Sequence, residues 1–169
     1  IQLILKMMRR EEMFREMRLK EDNQLPQEQA LEMLEKARYG VMALDGDDDY
    51  PYTVPVNFVF DDNKIYFHGA TEGHKVDAIK RSDKASFCVV TKADIVPDAY
   101  NCLFLSTVAF GRIRPAKDEQ EKRRALELMI DKYSKGFEEG GRKYINASWD
   151  EVQAFVIELE HITGKKGTP

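Results

Sequence analysis

Apolar residues repeat at helical spacing in three stretches of this chain and at alternate positions in six others. The first helical stretch is "LPQEQALEMLEKARYG": Leu31, Leu34 and Ala37 share a face, Pro26 stands near the start and Gly40 suits the C-terminal cap. The second is "TEGHKVDAIKRSDK", with Val76, Ala78 and Ile79 turned inward. The third is "KDEQEKRRALELMIDKYS", with Ala125, Leu128, Met129 and Tyr133 on one side. The period-two stretches are "VMAL", "YTVPVNFVF", "KIYFHGA", "ASFCVV", "CLFLSTVAFGRIRPA" and "VQAFVIELEHITG". Short turns such as "DGDDDYP" and "DDNK" join several of them, and short turns demand antiparallel pairing. Pro51 and Pro55 cannot donate ladder hydrogen bonds, so the second strand is an edge or is bulged near Pro55.

Six antiparallel strands with few helices predict a mainly β fold with flanking helices, closed or split as a barrel, because closure removes exposed edges. A ferredoxin-like sandwich, the competitor, demands a more regular alternation of strands and helices. Residues 1–24 are dense in charge and are expected to form an arm or a helix. Residues 25–169 are expected to form one domain, the usual content of a chain this long at roughly 150 residues per domain.

The net charge of −4 argues against a nucleic-acid partner, which needs a basic surface. Cys88 and Cys102 lie in apolar sequence without metal-ligand spacing and read as free thiols in a reducing compartment. The opening "IQLILKMMRR" is too short in apolar residues to span a bilayer and lacks the charge-first order of a signal peptide. A cytoplasmic location, without membrane contact, is the expectation.

Candidate chemistry gathers in "YFHGATEGHK", which holds two of the three histidines. Period two puts Ile65 and Phe67 on one face of its strand and Tyr66 and His68 on the other. A helix is expected to start near Thr71 or Glu72, and a helix N-terminus favours anions. His74 and Lys75 add charge-assisted donors there, so a phosphate fits, although a solvated basic helix face fits as well. In "YTVPVNF" a proline-broken ladder and the Asn57 amide could meet a flat heteroaromatic ring, or could be a plain bulge. Ser106 shares a face with Phe104, Val108 and Phe110 and needs a hydroxyl partner, from a ligand or from the backbone. Trp149 reads as a lid on the core or as a rim residue over a ligand. No G-x-S-x-G, P-loop, Cys-His pair or zinc spacing is present, so an enzyme built on this chain would rely on a cofactor.

The ordered set "VPVNF", "YFHGATEGHK", "FGRIRP" and "HITGK" resembles the pyridoxamine 5′-phosphate oxidase-like split-barrel flavoproteins, and within them the 5-nitroimidazole-resistance branch. The resemblance runs from about Met13 to Lys165. It implies a six-stranded split barrel and a homodimer with flavin sites at the interface. It also implies FMN as the usual cofactor, with FAD in some relatives. Carried onto this chain, it places Pro55, Val56 and Asn57 beside the flavin ring. His68, Gly69 and Ala70 line the ring or the ribityl chain, His74 and Lys75 hold the phosphate, and Ser106 is a further contact. His68 becomes the residue nearest a substrate. The arginine-rich flavin signature of the true oxidases is missing, which argues against pyridoxal phosphate synthesis. The expected function is a flavin-dependent oxidoreductase acting on nitro-aromatic or other small electrophiles. Its rivals are a non-catalytic flavin-binding or sensing dimer, and a colourless interaction module.

Overall fold

The computed structural model describes residues 13–168; the arm expected over 1–24 is described only from Met13 onward, and residues 1–12 lie outside the described residues. The strands are β1 (Gln24–Leu25), β2 (Tyr39–Asp45), β3 (Pro51–Asn57), β4 (Val59–Asp61), β5 (Lys64–Ala70), β6 (Lys84–Val96), β7 (Asn101–Pro115) and β8 (Val152–Lys166). All pair antiparallel in one eight-stranded sheet of order β3-β2-β6-β7-β8-β5-β4, with β1 added to β8. The two ends of this order, β3 and β4, follow each other in the chain with only Phe58 between them. The sheet therefore curls until its ends meet without a ladder joining them. It is a split barrel with flanking helices.

Two strands more than the expected six arise from local causes. Phe58 is fully buried and divides the stretch read as one strand into β3 and β4. The short β1 sits on Lys165 and Gly164 of β8. The register of β3 on β2 is unbroken from Tyr39↔Asn57 to Asp45↔Pro51, so Pro55 makes no bulge; the strand tolerates its prolines because it is an edge. β6 outruns its apolar stretch, continuing to Val96 on β7 after an irregularity between Val90 and Lys92.

After a single helical turn at Lys20–Asn23, within the segment expected as an arm or helix, the longer helices are α1 (Gln27–Lys36), α2 (His74–Arg81), α3 (Glu119–Tyr133) and α4 (Glu138–Ala147). Gly40 is not the cap of α1, which ends at Lys36; it lies in β2, where the Phe87 ring leaves no room for a Cβ. Inside the barrel, Met42, Phe58, Ile65, Phe67, Phe87 and Phe155 form the main core, which Leu34 of α1 and Val76 and Ile79 of α2 join. A second cluster of Tyr66, Ala125, Ala154 and Val156 lies under α3. β8 is thus buried on both faces from Ala154 to Ile157, which replaces simple alternation with a continuous apolar run.

α3 is fixed at its start by charge. The Asp118 side chain accepts the Glu121 N–H at 2.7 Å, capping the helix. The Glu121 carboxylate accepts the Lys117 N–H at 2.7 Å and pairs with Arg114 at 2.6 Å and 3.0 Å. Arg114 also reaches Glu158 at 2.6 Å, so one guanidinium ties β7, α3 and β8 together.

The outer face of β2, β6 and β7 is different. Rows across the ladders place Val41, Cys88, Val108 and Thr163 side by side, with Val90, Ser106 and Lys165 in another row. Val41 is 42% and Val90 61% exposed, apolar side chains in water. Near one border Phe14 crosses this face, stacked on His161 at 4.6 Å and close to Phe110 at 5.3 Å.

Candidate functional site

β5 ends in His68, Gly69 and Ala70, a bend follows, and α2 begins at His74, two to three residues later than the expected start near Thr71 or Glu72. Gly73 precedes it at φ 117°, a left-handed conformation that glycine adopts without strain, and no side chain caps the helix. The first-turn N–H groups are therefore left for a guest or for water. Lys75 folds back from α2 over β5. A Cβ on Gly69 would stand 3.1 Å from Lys75 Nζ and 3.2 Å from its Cε, so the bare glycine is what lets the lysine lie there. The ammonium also stands 5.6 Å from the centroid of the Phe67 ring.

Lys75 is half-buried, and burial pushes its pKa down. No carboxylate among the described residues is within ion-pair distance of it. A half-buried cation without a counter-ion, beside an uncapped helix start, is arranged to receive an anion. His68 remains open to water although protein crowds its strand end, and both this crowding and the Lys75 charge push its pKa down. Its imidazole is therefore neutral at neutral pH, an acceptor or orienting group rather than a ready acid.

His74 has a partner of its own. Its ring stacks on Tyr52 with centroids 4.0 Å apart, and its Nε2 faces Asp47 at 3.5 Å. Asp47 also receives Arg81 at 2.9 Å, so residues at both ends of α2 are held against the β2–β3 turn. On β3, Pro55 and Asn57 are exposed and Val56 is half-buried against the core; the Asn57 amide donates to the Arg38 carbonyl at 3.0 Å.

Ser106 lies elsewhere in the chain. It pairs with Lys165 on β8, whereas His68 pairs with Ala154. Eleven positions of strand, roughly 35 Å at 3.3 Å per residue, separate those two partners. One chain therefore brings His68, Gly69, Ala70, His74 and Lys75 together, keeps the Pro55–Asn57 edge as a separate element, and leaves Ser106 remote. Trp149 is neither a core lid nor a rim to these groups: its half-buried ring lies between Lys122 and Arg123, each 4.4 Å from its centroid. Asp47 and Lys132 are polar contacts near these elements that spacing alone did not single out, and Tyr133 figures there only as part of an apolar helix face; a lysine-tyrosine pair ending an amphipathic helix was the available sign. Among the described residues no group of His, Cys, Asp or Glu is placed to hold a metal ion, and no helix is long and apolar enough to cross a membrane.

The family model described as pyridoxamine 5′-phosphate oxidase matches residues 26–166. No curated protein matches the chain in sequence. Among solved structures, a protein assigned to 5-nitroimidazole antibiotic resistance from Bacteroides thetaiotaomicron superposes with a TM-score of 0.71 at 20% identity, over 86% of each chain. An FAD-binding protein from Mesorhizobium loti gives 0.62 at 19% identity, over 86% of this chain and 96% of the other. The flavocytochrome Anf3 of Azotobacter vinelandii gives 0.68 at 16% identity, over 91% and 73%. At these identities the shared property is the fold.

Proposed function

Because this chain belongs to the pyridoxamine 5′-phosphate oxidase family, we propose that it is a flavin-dependent oxidoreductase whose substrates are nitro-aromatic or other small electrophilic compounds. FMN is the proposed cofactor; FAD is the alternative, since one structural relative is named for binding it. The observation that carries this reading is Lys75, a half-buried cation with no ion-pair partner among the described residues, folded over Gly69 at the uncapped start of α2. That arrangement suits a phosphate monoester. A bound flavin supplies electron transfer, which none of the side chains here can perform.

Within this reading Lys75 and the first-turn N–H groups of α2 hold the phosphate. His74, stacked on Tyr52 and turned to Asp47, fixes the helix start and borders the phosphate. Pro55, Val56 and Asn57 flank the ring, and Gly69 and Ala70 leave room along the ribityl chain. The exposed apolar face of β2, β6 and β7 takes a second copy of the chain, which is how Ser106 of one copy reaches the site of the other despite its distance within one chain.

His68 orients the substrate through its neutral imidazole. His68→Ala is expected to leave flavin bound and to lower turnover. In the unmodified protein turnover declines only at pH below the ordinary histidine range, because the folded-state pKa is lowered. A pH–rate profile checks this; an acid limb that survives His68→Ala removes the histidine from this role.

The function itself is tested by the absorption spectrum of the purified protein with mass analysis of whatever heat releases. Anaerobic reduction and addition of a nitroimidazole then follow. Reoxidation faster than that of free flavin supports the oxidoreductase, and reoxidation at the free-flavin rate leaves a binding or sensing dimer.

A further inference from the structure

The crossover from β3 to β4 carries a polar cluster apart from the anion site. Lys132, near the end of α3, is half-buried and donates to the carbonyls of Ala37 at 2.6 Å and Phe58 at 3.0 Å. Its ammonium stands 4.6 Å from the centroid of the Phe58 ring. The Tyr133 hydroxyl accepts the Phe58 N–H at 3.0 Å and lies within hydrogen-bonding reach of two carbonyls, Phe58 at 2.6 Å and Arg38 closer still. A phenol has one proton to give. Either carbonyl can take it, since each keeps a lone pair beside the one that Lys132 or Asn57 occupies.

Asn57 converges on the same place, its Nδ2 donating to the Arg38 carbonyl at 3.0 Å. Only the NH2 end of an amide can face a carbonyl, so chemistry fixes which end of Asn57 points inward. The Oδ1 is left over. Asn57 is exposed, and its amide is also in hydrogen-bond contact with the Tyr133 side chain; burial pushes the pKa of that phenol up and this contact opposes the shift.

We propose that Lys132 and Tyr133 are positioning residues that lock the Asn57 amide by its nitrogen, so that it presents an acceptor oxygen selecting rings that carry an imide N–H. The pyrimidine end of a flavin has such a group at N3. This deepens the flavin assignment and rests on it. Two otherwise unrelated features, the end of α3 and the proline-bearing edge, thereby serve one recognition event.

The test compares binding of FMN and of FMN methylated at N3, by fluorescence titration, in the unmodified protein and in the Asn57→Ala, Tyr133→Phe and Lys132→Met variants. The unmodified protein is expected to bind the methylated flavin about tenfold more weakly, the size of one hydrogen bond. That ratio is expected to fall towards one in Asn57→Ala and in Tyr133→Phe, and part of the way in Lys132→Met. A purely structural clamp would lower the melting temperature of the Tyr133 and Lys132 variants and leave the ratio intact, which overturns the proposal. Asn57→Ala is an exposed change that keeps the test available if a clamp variant fails to fold. Equal binding of both flavins by the unmodified protein refutes the acceptor while leaving flavin binding standing; binding of neither refutes both.

Discussion

Lys75→Met is expected to weaken flavin binding by roughly ten- to a hundredfold, the value of a charge-assisted hydrogen bond, without destabilising the flavin-free protein. The two halves of this expectation have one cause. Lys75 lies between the Phe67 ring and the bare backbone of Gly69, burial disfavours its charged form, and no carboxylate among the described residues offsets the cost. Methionine keeps the unbranched stem over Phe67 and removes the charge that is costly in the empty site and useful in the filled one. Gly69→Ala is an independent check, since the added carbon at 3.1 Å from Nζ pushes the lysine aside without changing its charge. Fluorescence titration gives the affinities and a thermal melt without flavin gives the stability. Unchanged affinity in Lys75→Met removes the phosphate anchor and with it the main support for the assignment.

Glu121→Gln is expected to cost about 2 kcal/mol at neutral pH and little at pH 2. Hydrogen bonds from Arg114, against some opposition from burial, hold the Glu121 carboxyl at about 2, whereas the ordinary value is 4.5. A folded-state pKa below the unfolded one means stability that is complete above pH 4.5 and is lost as pH falls towards 2. A shift of this size corresponds to roughly 3 kcal/mol, and screening at a site close to the surface reduces it to about 2. The same contacts hold the Arg114 pKa above its ordinary value. Urea unfolding at the two pH values separates this from simple packing, which would cost the same at both.

Much of the barrel was legible because its inner face is ordinary. Ile65 and Phe67 in β5, and Phe155 and Ile157 in β8, face the barrel interior at period two although both strands are also covered on their other face, and Pro51 with Pro55 announces an edge. What stayed hidden depends on contacts between distant residues. The stretch "EEGGRKYINA" carries two glycines and is not among the three stretches with helical spacing, yet it forms α4, because Gly141 packs directly on Ile130 and Ile145 is buried. Gly40 looked like a helix cap for want of any sign that Phe87 would lie against it. The cluster around Lys75 was legible as charge beside a turn. The Lys132–Tyr133 clamp was not, since its acceptors are backbone carbonyls some 75 to 95 residues away.

The edge strand β3 has one more consequence. Its ladder with β2 runs through Pro55 without interruption, so the nitrogens of Pro51 and Pro55 must point away from β2, on the side of the strand that no neighbour covers. Of the four outward nitrogens, only those of Thr53 and Asn57 carry a hydrogen. An incoming strand would find half its donors missing. The barrel can thus keep a polar edge open to solvent without offering a template for end-on fibril growth.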